Sequence, residues 1–476
     1  MKRKNFYGDN IIAMATPPGI GAISVFRLSG PDVIEITDCF FRPAGKKKNK
    51  LTEAPGHTLH FGELKDGDEL IDEVLVSVFK APKSYTGENA VEISVHASPY
   101  IQRRLLGLFL NAGVRMAEPG EFTLRAFMHG KMDLAQAEAV ADLIAAETSL
   151  QHKTAMAQLK GGFSKKLKIL REQMVEFASL LELELDFAEE DVEFADRQQF
   201  MNLIGQIKKT LQQLMDAYRA GNVIKEGLPV AITGEPNTGK STLLNALLQE
   251  EKAIVTDIPG TTRDVIEDQI IIDGIKFRFI DTAGIRKAQD QVEQIGIERT
   301  FEKIKEARVV FVLTDAEIMH EDESFFKQNL KRYFEWKNEF PDKHFKLIIN
   351  KIDKLSEEKS DSLRMKLMQA GVDDFLFISA KREQGIDALK QFLSDYVRQG
   401  LLVQSDVLVT NERHYNALRE AWQSMITVEE GLTSGLTADL LAVDVREALN
   451  KLGEITGEIT TDDLLDHIFK NFCIGK

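Results

Sequence analysis

Cysteine is nearly absent: Cys39 and Cys473 are the only two in 476 residues. Two thiols cannot build a disulfide framework, and such usage is expected of a chain kept in a reducing cytosol. No apolar run is long enough to cross a bilayer, so no membrane association is expected. Proline is sparse, at 12 residues, and no repeat or low-complexity tract interrupts an otherwise globular composition. Positive charge is in deficit. A formal net charge of −15 excludes a global pull toward a phosphate backbone, so any nucleic-acid contact must use a local patch or a partner's surface. The basic clusters Lys46-Lys47-Lys48-Asn49-Lys50 and Lys165-Lys166-Leu167-Lys168 read as solvated loop or helix faces. The charged amino terminus is followed by Pro17 and Pro18, which break the next apolar stretch before a signal-peptide core is complete. A cytoplasmic location is the expectation.

The chain is too long for one hydrophobic core and should form about two to four domains. Residues 1–121 alternate in β fashion, as in G-A-I-S-V-F-R-L and A-V-E-I-S-V-H, with turns between, and read as an α+β module. Residues 122–221 switch to helical spacing without proline, as in L-A-Q-A-E-A-V-A-D-L-I. Over 222–398, the apolar runs L-P-V-A-I-T, K-F-R-F-I-D, V-V-F-V-L-T-D, F-K-L-I-I-N and F-L-F-I-S alternate with helices, which describes a doubly wound, largely parallel five-stranded sheet. Helix returns over 399–476. Helical segments on both sides of an α/β unit predict one discontinuous all-α domain with the α/β domain inserted in it.

The strongest motif is G-E-P-N-T-G-K-S, Gly234 to Ser241, after a strand and before a helix. Its backbone N–H groups can wrap a β-phosphate at the helix amino terminus; Lys240 reaches β and γ oxygens and Ser241 can ligate Mg²⁺. Asn237, Thr238, Gly239 and Thr242 complete this element. In Asp281-Thr282-Ala283-Gly284 the carboxylate can hold the Mg²⁺ shell and Gly284 can offer an N–H to the γ-phosphate. Asn350-Lys351-Ile352-Asp353 selects the base, because the Asp353 carboxylate can accept the ring N–H and exocyclic amine of guanine, a pair adenine lacks. Ser379-Ala380-Lys381 would support that base from the backbone. A plain strand-end turn competes for each element alone, but not for four in order. GTP is therefore the expected ligand. Between them, V-T-D-I-P-G-T-T-R-D from Val255 to Asp264, with Thr256, Asp257, Ile258, Pro259, Gly260, Thr261 and Thr262 at its centre, is the natural switch, Thr261 or Thr262 completing the Mg²⁺ shell.

Catalysis is less legible. Ile285 stands where Ras-like GTPases carry the glutamine that orients water, and an aliphatic side chain cannot do so. Asn237, with backbone oxygens from 256–258, could hold a monovalent cation beside the phosphates, or could only shape the loop. Glu293 lies close enough along the chain to approach the water, or is a surface helix glutamate.

Over its whole length the chain resembles the tRNA-modification GTPase family MnmE, also called TrmE. The resemblance rests on A-T-P-P-G-I-G-A-I-S-V-F-R-L-S-G, S-Y-T-G-E-N-A-V-E-I, P-G-E-F-T-L-R-A-F-M-H-G-K-M-D-L-A-Q-A-E-A, G-T-T-R-D, D-T-A-G-I-R, V-E-Q-I-G-I-E-R, I-T-G-E-I-T-T-D-D-L-L and the terminal F-C-I-G-K. It implies a folate-binding amino-terminal domain that forms a homodimer, and TrmE-type G domains that meet when K⁺ is bound. Asn237, Thr256, Ile258 and Thr261 match the family's K⁺ positions, Ser241 and Thr262 the Mg²⁺ ligands, and Glu293 the glutamate that positions water. Arg27, Glu92, Lys131 and Lys476 match the folate positions; Arg27 and Lys131 suit the carboxylates of a folate tail, and Glu92 the N–H edge of a pterin. The implied chemistry is modification at C5 of the wobble uridine of tRNA, installing an aminomethyl or carboxymethylaminomethyl group. It would be carried out with an FAD-containing partner, GidA (MnmG), and a 5-formyl- or methylene-tetrahydrofolate one-carbon unit.

Two places depart from the family pattern: His96-Ala97-Ser98 stands where H-G-G is common, and 320–344 is longer than typical and reads as a surface helix. A scaffold whose GTP only controls docking is a competing reading. A ribosome-assembly GTPase of the Era type is another, but it would need a KH module with a G-x-x-G loop where this chain is helical. The tail F-C-I-G-K fails as a prenylation box at Gly475 and Lys476. Cys473 either ends a packed helix as a small hydrophobe or, if Lys476 reaches the folate, takes part in the chemistry there.

Overall fold

The structure, a computed structural model, describes residues 8–45, 50–187, 197–249, 268–280, 301–400, 408–470 and 472–475. The chain forms two compact units, one of residues 1–145, 155–207 and 420–476, the other of 146–154 and 208–419.

The first unit contains a seven-stranded sheet of order β3-β4-β5-β6-β2-β1-β7. Its strands are β1 (Ile11–Met14), β2 (Ile23–Ser29), β3 (Phe41–Pro43), β4 (Thr58–Asp66), β5 (Glu69–Phe79), β6 (Ala90–His96) and β7 (Arg115–Met116). All pairings are antiparallel except β1 with β7. Side chains alternate across the sheet. Phe26 and Leu28 of β2 and Val91 and Ile93 of β6 enter a core with Val33 and Ile34 of helix α1 (Val33–Phe40) and Leu105 and Phe109 of α2 (Pro99–Asn111). Arg27 and Glu92, directly opposite each other in the β2–β6 register, therefore face the other side, where Ile11, Ala13, Ala117 and Phe122 cluster.

Helix α3 (Glu121–Met128) carries Arg125, which is 1% exposed and cannot be buried charged without partners. It donates to the carboxylates of Asp9, Glu88 and Glu121, while Arg115 bridges Asp9 and Glu121. Burial pushes the Glu121 carboxyl up, yet hydrogen bonds from Arg115, the Glu118 N–H and Arg125 outweigh it and hold it below the usual range.

Helix α4 (Leu134–Ile144) starts with a capping box, Asp133 accepting from the Gln136 N–H and Gln136 reaching back. It is followed by α5 (Ser149–Leu159), α6 (Gly162–Phe187) and α7 (Arg197–Glu226). On α6, Leu170, Met174, Phe177 and Leu181 recur at helical spacing and are buried. This helix packs against the late helix Ala438–Thr456. Salt bridges Arg171–Glu458 at 2.7 Å and Arg446–Glu182 at 2.6 Å fix that pair as antiparallel, so residues far apart in sequence build one discontinuous helical core. Of the second basic cluster, Lys165 and Lys168 are exposed on α6.

The second unit holds a six-stranded sheet of order β13-β12-β11-β8-β10-β9. The expected five strands are β8 (Leu228–Gly234), β10 (Ile275–Phe279), β11 (Val309–Asp315), β12 (His344–Asn350) and β13 (Phe375–Phe377), all paired in parallel. The sixth, β9 (Asp268–Ile272), corrects the five-strand reading: it pairs antiparallel with β10 through Asp273 and Gly274, at φ 51° and 78°. An Asp-Gly pair with both φ positive is a hairpin turn that suits the twist of the two strands. Apolar clusters on both faces of the sheet make it doubly wound. The segment expected to be a surface helix contains the helix Glu323–Glu339, whose inward side buries Phe326, Leu330 and Tyr333 against one of those clusters. It is a core-covering layer with one solvated face.

Candidate functional site

The phosphate loop follows β8 and leads into α8 (Lys240–Gln249). Two of its glycines are dictated by close approach, of a backbone carbonyl at one and of a side chain at the other. A Cβ on Gly234 (φ +149°) would lie 2.2 Å from the Leu313 carbonyl, and one on Gly239 (φ +97°) 2.4 Å from Nδ2 of Asn350. Asn237 sits between them with a left-handed φ of 64°, a conformation asparagine tolerates. The Thr238 hydroxyl donates to the Glu235 carbonyl at 2.8 Å, closing the turn. Lys240 Nζ reaches back to the carbonyls of Gly234 and Glu235 at 2.8 and 2.7 Å. Burial, then the nearby Lys303 charge, lowers its pKa to about 8. Ser241 and Thr242 follow in the first turn of α8, both exposed.

The elements expected to recognise the base converge on this loop through Asn350, which is 2% exposed at the end of β12. Its Nδ2 donates to the Thr238 carbonyl at 2.8 Å and its Oδ1 accepts from the Ala380 N–H at 2.9 Å. Lys351, in a left-handed conformation, donates to the Asn237 carbonyl at 2.6 Å and pairs with Asp315 at 2.7 Å. The Ser379 hydroxyl donates to Asp353 at 2.6 Å, and that bond holds the Asp353 carboxyl below the usual carboxylate range. The acceptor a guanine edge requires is thus ionised and aimed. Lys381 is exposed beside it. Asp315, buried at the end of β11, was not singled out from sequence; a strand closing on Thr314-Asp315 was the available signal.

Thr256, Asp257, Ile258, Pro259, Gly260, Thr261, Thr262, Asp281, Thr282, Ala283, Gly284, Glu293 and Lys476 lie outside the described residues. Of the K⁺ set only Asn237, and of the Mg²⁺ pair only Ser241, is described.

In the first unit, Arg27 Nε donates to Glu92 Oε1 at 2.9 Å and its Nη2 lies 2.8 Å from the same oxygen. Arg27 therefore does not stand free for a ligand carboxylate; it orients Glu92. Its Nη1 donates to the Gly475 carbonyl at 3.3 Å, and the Gly120 N–H donates to the Cys473 carbonyl at 3.4 Å, so the tail lies on the amino-terminal fold. A Cβ on Gly475 (φ +95°) would lie 2.6 Å from the Met14 carbonyl, which is why glycine stands there. Phe472 packs with Leu124 and Phe469, and Cys473 is exposed beside it. The ring of Tyr85 lies 5.6 Å from the Arg27 guanidinium, and that of Phe122 5.8 Å. Lys131 Nζ is exposed and donates to the Pro82 carbonyl at 2.9 Å. Sequence reading left Tyr85 without a role, although it lies inside S-Y-T-G-E-N.

Among the described residues no helix is long and apolar enough to cross a membrane. Residues 10–131 match the model of the GTP-binding protein TrmE N-terminus, and residues 134–473 that of the MnmE helical domain. A tRNA modification GTPase MnmE from Christiangramia forsetii is 54% identical, covering 98% of this chain and 99% of that relative. One from Flavobacterium johnsoniae is 52% identical over the same shares, and one from Porphyromonas gingivalis 46% over 99% of each. The solved structure of Era in complex with MgGDPNP and 16S ribosomal RNA nucleotides is 23% identical, covers 41% of this chain and 66% of that one, and has a TM-score of 0.28, too partial to carry an argument. End-to-end identity near one half, with both domain models satisfied in order, establishes that this chain belongs to the MnmE family of tRNA modification GTPases.

Proposed function

We propose that the chain is a K⁺-activated GTPase that works in the cytoplasm as a homodimer. With an FAD-containing partner of the GidA (MnmG) kind, it installs an aminomethyl or carboxymethylaminomethyl group at C5 of the wobble uridine of certain tRNAs. The observation that carries the guanine reading is the Asp353 carboxylate, held by the Ser379 hydroxyl in the turn after β12, whose last residue Asn350 staples the phosphate loop. Lys240, Thr238 and Gly239 bind and orient the triphosphate, and the Asn350 staple keeps base and phosphate sites at a fixed separation. The loop fits a magnesium nucleotide: its two close-packed glycines leave the backbone bare, and Ser241 is exposed at the helix start. Mg²⁺, when bound, would neutralise charge between β and γ oxygens. Thr262 is its other proposed ligand. Asn237, Thr256, Ile258 and Thr261 would hold K⁺, and Glu293 would position the attacking water, a task Ile285 cannot perform.

In the amino-terminal domain, Arg27, Glu92, Lys131 and Lys476 are proposed to hold a tetrahydrofolate derivative, which would supply the one-carbon unit. The paired Arg27 and Glu92 beside a half-exposed tyrosine, with an exposed lysine nearby, fit a flat ring that has an N–H edge and an anionic tail. Domain limits at 121, 221 and 398 are part of the same proposal. Hydrolysis measured on the full chain should be clearly faster in K⁺ than in Na⁺, and Glu293→Ala should remove turnover while sparing GTP binding. Equal rates in the two salts would contradict the cation reading.

A further inference from the structure

We propose that Tyr85 is a ligand-contacting residue of the amino-terminal site, the wall on which a flat heteroaromatic ring stacks beside the Arg27–Glu92 pair. This rests on the folate reading above and gives the tyrosine beside its ion pair a direct contact with the ligand.

Two aromatic rings flank the Arg27 guanidinium, and they differ in one respect. Phe122 is fully buried at 0% exposure, whereas Tyr85 is 37% exposed. The phenol has the Arg27 guanidinium over its ring, keeps more than a third of its surface open, and is held by a bond of 2.9 Å between its hydroxyl and that of Thr123. The loop that carries it is held at several points. Ser84 Oγ donates to the Glu88 carbonyl at 2.5 Å, Glu88 accepts from Ser29 Oγ at 2.7 Å and from Arg125 at 3.0 Å, and Asn89 Oδ1 accepts from the Ala81 N–H at 3.1 Å. Gly87, at φ +82°, lets His129 and Lys131 pack close; a Cβ there would lie 2.8 Å from His129 Cβ and 3.6 Å from Lys131 Cδ. One rigid loop thus places an aromatic face and sets the approach of a lysine.

Arg27 meets Glu92 through Nε and Nη2, both at Oε1, and the second oxygen of that carboxylate is the acceptor proposed for an N–H donor edge. The combination selects a planar ring with donors on one edge and a negative tail, and the prepaid ordering of the loop makes the stack effective. The remaining Arg27 nitrogen, Nη1, donates to the carbonyl of the tail residue Gly475.

The test uses the full-length chain and 5-formyltetrahydrofolate, with affinity measured by titration calorimetry and folding checked by thermal melting. Tyr85→Phe keeps the ring and should bind within about 3-fold of wild type, since only the bond to Thr123 is lost. Tyr85→Leu fills the space without a π face and, like Tyr85→Ala, should bind roughly 10-fold or more weakly. Wild-type-like binding by Tyr85→Leu would overturn the stacking role while leaving the folate reading intact. No binding by the wild-type chain would overturn the folate reading and this inference with it.

Discussion

Asn350 and Thr238, 112 positions apart, are joined by a 2.8 Å hydrogen bond from the asparagine amide to the threonine carbonyl. The same amide accepts from Ala380. One buried side chain thereby locks the phosphate loop to both segments proposed to meet the base. Asn350→Ala leaves the Thr238 carbonyl and the Ala380 N–H without this partner, at about 1–3 kcal/mol each. Binding of a fluorescent GDP or GTP analogue is expected to weaken roughly 10-fold or more, and the melting temperature to fall with it. Unchanged nucleotide affinity would show that the staple is dispensable.

The lowered Lys240 pKa sets a pH dependence. Its native value, about 8 against an ordinary 10.5, means that the protonated lysine costs stability below pH 8 and that this cost is relieved as pH rises toward 10.5. Phosphate binding needs the protonated form, and phosphate oxygens would hold the proton more tightly. GTP affinity is therefore expected to be level below about pH 8 and to fall by up to about tenfold per pH unit above it. A fluorescence titration series from pH 7 upward checks this; a flat profile to pH 10 would contradict it.

Much of the nucleotide site was legible because its chemistry is written in short local spacings, such as Gly234 to Ser241 and Asn350 to Asp353. The six-stranded sheet was underread at β9, although Asp273-Gly274 between two apolar runs is a hairpin signal. The inward face of the helix Glu323–Glu339 was hidden by its many charges, since Phe326, Leu330 and Tyr333 are spaced among them. Least legible was what depends on distant pairing. Nothing near Arg125 in sequence announces that Asp9, 116 positions away, pairs with it, or that Arg27 meets Gly475 across 448 positions.

That Arg125 cluster is expected to control the stability of the amino-terminal fold. Arg125→Met removes the shared partner of Asp9, Glu88 and Glu121 and strands buried charge, a loss of about 3–5 kcal/mol. The native Asp9 and Glu121 carboxyls are held below their ordinary values, so their contribution is complete above the ordinary carboxylate range and is lost as pH falls through the depressed native values. Thermal melts from pH 7 down to pH 3 should show wild-type stability declining in acid, and Arg125→Met starting lower with a shallower decline. Equal melting temperatures at pH 7 would contradict the role given to the cluster.

The central claim, a GTPase whose turnover serves tRNA modification, is tested most directly by mass spectrometry of wobble nucleosides from cells lacking this chain. The account predicts loss of the C5 substituent on wobble uridine, restored by the wild-type chain and not by Glu293→Ala. An unchanged nucleoside profile in the deletion strain would contradict it.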